Sequence, residues 1–406
     1  MPINEDLKPI VELLDKLIIF RKIKHTGLIR ELLELANQQN PTGSFYEWYG
    51  RLLEYQPYGN SWTAYLNDVI RFDENYFTLH CERHESHRIP PAILKAVDSD
   101  LEIILKLVHW DPAEHFFGTE HSKGDIRTIS IPTTEIHNFR ETLAATIQTQ
   151  GAGLFGQYQA AVWHRASQNF QPIRHPDPIT FDQLIGYEEQ KQILQDNTRR
   201  FVKGLPANHI LLYGDRGSGK SSSVKALLHQ FAPEGLRIIE VSKDDLTDFP
   251  TITGLLRHRG LKFLIYVDDL TFESGEIGYK HLKAILEGTL EHKPTNILIY
   301  ATSNRRHLLR ETFADRENDI HGNDTVQEQL SLADRFGITL TYQAPDQHQF
   351  LAIVRGLAEQ RGLAVDKDNL EKRALQWERQ HNGRSGRTAK QFIDYIEGEL
   401  RLSQKM

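Results

Sequence analysis

The stretch Leu211–Ser223, LLYGDRGSGKSSS, puts three glycines, a lysine and a run of serines directly behind an apolar segment and directly ahead of the helical SSVKALLHQF. Glycine and serine are weak helix formers, so local propensity does not explain the choice. Gly214, Gly219, Lys220 and Ser221 fit the spacing G-x-x-x-x-G-K-[ST], in the strand–turn–helix setting that this spacing requires. Such glycines let successive backbone N–H groups point at phosphate oxygens, and the helix N-terminus adds the positive end of its dipole. A lysine at a helix start opposes that dipole, so a purely structural role explains it poorly. The expected phosphate cradle is Gly214, Asp215, Arg216, Gly217, Ser218, Gly219, Lys220, Ser221 and Ser222. In it Lys220 meets the β and γ phosphates of ATP, and the Ser221 hydroxyl meets Mg2+.

The rest of this region agrees with an α/β domain. The runs NHILLY, LRIIEV, FLIYV, NILIYA and GITLTY are short, β-branched and nearly continuous, and amphipathic segments separate them. That is the form of a parallel sheet covered on both faces, here five-stranded. FLIYV ends in Asp268 and Asp269, where the carboxyl end of a buried strand opens on the ligand crevice, so Asp268 is the expected magnesium partner. One whole strand lies between the phosphate turn and this acid strand in sequence, which leaves a slot between the two in space. NILIYATSN fits the slot, and its tip offers Asn304, an uncharged amide suited to the γ-phosphate and the attacking water.

The chain divides into three expected regions. Residues 1–170 read as a mostly helical partner or client module. Ile10, Leu13, Leu14, Leu17 and Ile18, then Leu28, Leu32, Leu33 and Leu35, recur at helical spacing, and an aromatic-rich part follows. The proline-rich QPIRHPDPIT marks a boundary, so residues 171–345 form the nucleotide-binding domain. Three helical segments near 347–360, 367–380 and 386–402 make residues 346–406 a helical lid. Among 406 residues the formal net charge is -7, which gives no general reason for polyanion or membrane binding. The single Cys81 fits a reducing compartment, and the lack of a signal-like start or a long apolar window leads us to expect a cytoplasmic location.

The order GDRGSGKS, YVDD, ATSN, LADRFG and GRSGR resembles that of the AAA+ ATPase superfamily. FDQLIGYEEQKQILQDNTRRFVKG and NDIHGNDTVQEQLSLADRFGITL resemble, more narrowly, an uncharacterised bacterial family of AAA+ ATP-binding proteins. The resemblance runs from about Pro178 to the C-terminus. It implies ATP and Mg2+ held between an α/β domain and a helical lid, commonly at the junction of subunits in a ring such as a hexamer. It makes Ile185, Gly186 and Tyr187 adenine contacts, Asn304 a sensor, and Arg335 an arginine finger for the next subunit. Arg387 becomes the lid arginine that reads the γ-phosphate, with Arg384 as the substitute. Arg387 opens a helix, where a bound anion would account for a cation, whereas Arg335 follows a helical segment whose end favours one anyway.

Many AAA+ enzymes follow the magnesium aspartate with a glutamate; Asp269 is one methylene shorter, and Glu273 is an alternative acid. Asp-Asp also occurs in replication initiators and helicase loaders, which suggests slow, switch-like hydrolysis. An ATPase with an unknown protein client is therefore expected. A DNA-associated loader and a nucleotide-gated scaffold with little turnover are the other two readings.

Other clusters carry less. His80, Cys81, His84 and His87 offer metal ligands, but adjacent Cys and His point apart on a helix and no second cluster completes a site. Arg21, Lys22, Lys24 and Arg30 read as a solvated face. The aromatics from Phe45 to Tyr65 read as core, since no basic stripe accompanies them for nucleic-acid stacking. The loop from Glu317 to Gln329 is either a partner contact or a solvated connection.

Overall fold

Helical periodicity at the N-terminus becomes a layered helical unit in the structure, a computed structural model that describes residues 3–37, 42–55, 61–110, 112, 130–271, 277–287, 294–304, 334–381 and 383–404. Two compact units are present: residues 1–157 with Arg259–Leu261, and residues 158–258 with 262–406.

The first unit contains α1 (Ile3–Asp15), α2 (Gly27–Ala36), α3 (Thr42–Leu53), α4 (Trp62–Arg71), α5 (Tyr76–Glu82), α6 (Pro91–Val108), α7 (Thr133–Gln150) and the short α8 (Gly153–Gln157). Of the leucines and isoleucines read from the sequence, Ile10, Leu13, Leu14, Leu17, Leu28, Leu32 and Leu35 are buried, together with Phe20, Phe45 and Trp48; Leu33 is partly buried, and Ile18, in the turn after α1, is 50% exposed. Each fully buried side chain of this size contributes about 1.5–3 kcal/mol of transfer free energy. Aromatic polar atoms are satisfied inside this core: Trp48 Nε1 donates to Leu28 O at 2.9 Å, and Trp62 Nε1 to Leu107 O at 2.8 Å. The aromatic segment is thus core. Fully buried Asp100 on α6 accepts from the amides of Ile18, Ile19 and Phe20, closing the turn after α1.

The basic run is locally paired. Arg21 donates to Ile18 O, Lys22 to Glu74 O, Lys24 pairs with Asp15, and Arg30 with Glu34. Cys81 is buried, and burial pushes its thiol up to about 12. His80 stacks on Tyr76, and no metal-binding group of His, Cys, Asp and Glu occurs among the described residues.

Glu82, at the end of α5, is 1% exposed and has a full set of partners. It takes Arg259 Nε at 2.8 Å and Nη2 at 2.7 Å, and the amides of Ala152 and Gly260 at 2.8 and 2.9 Å. A side chain at Gly260 would lie 1.9 Å from the Glu82 carbonyl oxygen, so only glycine fits there. Burial pushes the Glu82 carboxyl up, but the Arg259 bonds and charge and the two amides outweigh it and leave the group below the ordinary glutamate value.

The second unit is built on a seven-stranded sheet: β1 (Ala160–His164), β2 (Asn169–Pro172), β3 (Ile210–Gly214), β4 (Leu236–Glu240), β5 (Lys262–Val267), β6 (Ile297–Ser303) and β7 (Ile338–Tyr342), in the order β2-β1-β4-β5-β6-β3-β7. The five expected strands are all present and parallel, and β6 fills the slot between the phosphate-loop strand β3 and the acid strand β5. The expected count of five is corrected to seven. β1 adds parallel to β4, and β2 folds back antiparallel through a turn with Gln168 in the left-handed region. These two strands cover the β4 edge that a five-stranded sheet would leave open. The unit therefore begins ahead of the proline-rich stretch.

Helices α9 (Glu188–Val202), α10 (Lys220–Phe231), α11 (Phe249–Leu256) and α12 (Ile277–Glu287) accompany the strands. The lid follows as α13 (Gln347–Gln360), α14 (Lys367–Gln380) and α15 (Gly386–Gln404), around Phe350, Leu370, Phe392 and Ile393. Asp346 and Gln349 form a reciprocal cap at the start of α13, which explains the abrupt change from strand to helix.

Glu82→Gln should cost the N-terminal unit about 3–5 kcal/mol, since it leaves the buried Arg259 without its counter-charge. Urea unfolding followed through Trp48, Trp62 and Trp110 measures this. Glu74→Gln, removing a half-exposed contact to the same arginine, should cost under about 1 kcal/mol. Because the folded Glu82 pKa is depressed, its contribution is complete above the unfolded value and fades as pH falls through the folded one. Acidification should accordingly destabilise the wild type more than Glu82→Gln.

Candidate nucleotide site

At the carboxyl ends of β3, β5 and β6 the chain makes a cleft of about 1040 Å³. Its floor is the phosphate loop. Gly214 ends β3 with φ +142°, and any Cβ there would sit 1.9 Å from the Tyr342 carbonyl oxygen of β7. Gly217 and Gly219 have φ of +75° and +97°, values that glycine adopts without strain. Asp215 fixes the far side of the loop: its amide donates to Tyr342 O at 3.0 Å, and its carboxylate accepts from the Ala344 amide at 2.7 Å.

Lys220 opens α10 with only 6% of the residue exposed. Its ammonium donates to Gly214 O and Asp215 O at 2.8 Å each, and to Asn304 Oδ1 at 3.2 Å. Burial lowers its pKa, and the charges of Asp215, Asp268 and Asp269 work against that. Asn304, at the tip of β6, also donates from Nδ2 to Asp269 Oδ1 at 2.7 Å. One amide thus bridges the lysine and the second acid.

Asp268 is held by three donors on Oδ1: the Ser221 hydroxyl at 2.9 Å, the Asp269 amide at 3.1 Å and the Thr302 hydroxyl. Burial pushes the carboxyl up, yet its hydrogen bonds, that from Thr302 foremost, bring it below the ordinary aspartate value. Asp269 takes a left-handed backbone, φ +49°, uncommon for a residue with a Cβ. Its amide also donates to Thr302 Oγ1 at 3.0 Å. Thr302 is therefore a site residue that sequence reasoning passed over; its place two positions before Asn304 on one strand, facing the same way, was the available signal.

The strap Ile185–Tyr187 lines the opposite side of the cleft. Ile185 packs on Gly356 of α13, where a Cβ would come within 2.5 Å of Ile185 Cδ1. Gly186 and Tyr187 both have positive φ, and the Tyr187 hydroxyl donates to the Gln343 carbonyl. Lys191, also unanticipated, holds the strap from beneath by donating to Leu184 O at 2.6 Å and to Glu188 at 2.7 Å.

From the lid, the Arg387 amide donates to Gly217 O at 3.2 Å, so α15 starts on the phosphate loop itself. Two lid arginines were candidates, and the structure separates them. Arg384 is bound by both oxygens of the buried Glu378, at 2.6 and 3.0 Å. Arg387 lines the cleft and makes no ion pair with any described residue. Arg216, Ser218, Ser222 and Lys390 complete this wall. Arg335 lies in the turn before β7 and is not among the residues lining the cleft of its own chain. Glu273 and the loop 317–329 lie outside the described residues.

The site fits a magnesium nucleotide. Its donors are backbone amides at a helix start, lysine and arginine, and the metal side offers a hydroxyl and a carboxylate oxygen, as a hard cation requires. A phosphate-loop strand next to a polar-tipped strand next to an acid strand, closed by a helical lid, defines the AAA+ P-loop class. Within it, the chain belongs to the family described as "Protein of unknown function (DUF815)", which matches residues 156–400. A 71-residue segment is 38% identical to the replication factor C large subunit of Nanoarchaeum equitans (strain Kin4-M), covering 18% of this chain and 16% of that protein. Among solved structures, the RuvB Holliday junction branch migration motor of Thermotoga maritima matches with 17% identity and a TM-score of 0.39, over 56% of this chain and 67% of that one. A second structure of this RuvB gives 17% and 0.40, over 56% and 67%.

Arg387→Ala should weaken ATP binding about tenfold, the worth of a charge-assisted bond to phosphate, without changing the melting temperature. Arg384→Ala should do the reverse, lowering the melting temperature by exposing Glu378 unpaired. Titration with a fluorescent ATP analogue alongside thermal melts distinguishes the two.

Proposed function

We propose that the chain is a Mg-ATP-dependent AAA+ ATPase, working as a homo-oligomeric ring and passing its nucleotide state to a protein client through the N-terminal unit. The observation that carries this reading is the chain of bonds from Lys220 through Asn304 to Asp269, set beside the Ser221–Asp268 pair. Lys220 binds the β and γ phosphate oxygens and neutralises charge that builds during in-line attack by water. Asn304 and Asp269 hold the attacking water, and Asp269 receives its proton. Magnesium, held through Ser221 and Asp268, supplies further charge neutralisation on the phosphates. Arg387 reads the γ-phosphate from the lid, and Arg335 is offered to the neighbouring copy.

Slow turnover follows from Asp269. Its carboxylate is one methylene shorter than a glutamate's, and the left-handed backbone and the Asn304 bond hold it at a fixed place. Nucleotide state reaches the lid through the Arg387–Gly217 backbone bond, whose geometry changes with the loop.

A DNA-associated loader or initiator is the second reading, favoured by the replication-factor match of 38% over 71 residues. The pairing of Arg21, Lys22, Lys24 and Arg30 within the protein counts against that run as a phosphate footprint.

Phosphate release across a protein concentration series, with mass by light scattering, tests the proposal. Activity per subunit should rise with assembly and fall at least a hundredfold, roughly, in Lys220→Ala and Asp269→Asn. Turnover indistinguishable from Lys220→Ala at every concentration, despite ATP binding, would leave a nucleotide-gated scaffold. DNA binding that weakens steeply with salt and stimulates turnover would instead favour the loader or initiator.

A further inference from the structure

Among the described residues three buried side-chain polar atoms have no hydrogen-bond partner: Arg71 Nε, Trp377 Nε1 and the Tyr266 hydroxyl. Native interiors leave few such groups, and each asks for a reason. Tyr266 stands on β5 two positions before Asp268, so the two side chains leave the same face of the strand. The residue is 3% exposed. Its hydroxyl lies against Ser221 and Asp268, the expected magnesium pair, and against Thr302, without making a well-formed bond to any of them. A phenol hydroxyl keeps its proton at physiological pH and can donate it.

Two other tyrosines of the same core cluster show that this region satisfies its phenols. The Tyr300 hydroxyl bonds Asn197 and Thr198, each at 2.9 Å, and the Tyr342 hydroxyl donates to Ser223 Oγ at 3.2 Å. Packing does not require the oxygen of Tyr266, since phenylalanine would fill almost the same volume and need no partner. The open donor and the ligand pair face each other.

We propose that Tyr266 is a positioning residue of the divalent-cation site: its hydroxyl donates to the Ser221–Asp268 pair when that pair closes on the cation. This rests on the magnesium reading above. Partners of this kind hold ligating oxygens in place, and their loss typically weakens metal binding ten- to a hundredfold.

Tyr266→Phe tests it in the full-length protein. Mn2+ affinity in the presence of ADP is read by electron paramagnetic resonance, nucleotide affinity in EDTA by fluorescence titration, and stability by melting without metal. The expected result is Mn2+ binding weakened about tenfold, with metal-free nucleotide affinity unchanged and the melting temperature equal or higher, because a partnerless buried hydroxyl has been removed. Unchanged Mn2+ affinity overturns the proposal, as does an equal loss with and without metal. If the wild type itself binds Mn2+ no more tightly with ADP than without it, the magnesium reading fails, independently of the variant.

Discussion

Lys220 carries a charge into a position where almost none of the residue reaches water, and burying an ammonium is costly unless every proton finds an acceptor. Here the acceptors are two loop carbonyls and the Asn304 amide oxygen. The carbonyls can turn inward only because glycines occupy the loop, and the amide is in reach only because β6 runs beside β3. Strand order, loop composition and the polar tip of β6 are therefore three consequences of housing one cation. Phosphate oxygens are better acceptors than carbonyls, so the same ammonium is already placed for the role proposed above.

Legibility in the sequence followed the physics of each element. Strands buried on both faces announce themselves as unbroken apolar runs, so β3 to β6 could be read; β7, a partly buried edge strand, was legible from the β-branched residues of ITLTY. The lid helices were equally plain, bounded by Asp346, Asp366 and the Gly386 start. By contrast β1 and β2 were missed. AAVWH and NFQP are short and alternate between buried and exposed positions at a sheet edge, and nothing in them separates them from the aromatic-rich helices upstream. Thr302 and Lys191 were missed for another reason. Their importance comes from atoms brought together by the fold, Asp268 in one case and the Leu184 carbonyl in the other.

The helical unit obeys different rules. Its polar groups are spent internally: Asp100 caps a turn, Glu82 is enclosed by Arg259 and two amides, and the indole nitrogens reach carbonyls across the core. Charge placed in this way specifies one arrangement of helices. It leaves no chemistry of its own to read, which is why the sequence of this unit offered composition and periodicity but no motif.

Between β7 and the lid run only a few residues, and two of their peptide groups are gripped from different directions. Tyr187, in the strap, holds the Gln343 carbonyl, while Asp215, in the phosphate loop, holds the amide of Ala344. The chain therefore enters the lid through two adjacent residues, each tied to a different segment of the cleft wall. A shift in either segment reaches the same short connection, so the lid shares its footing with both.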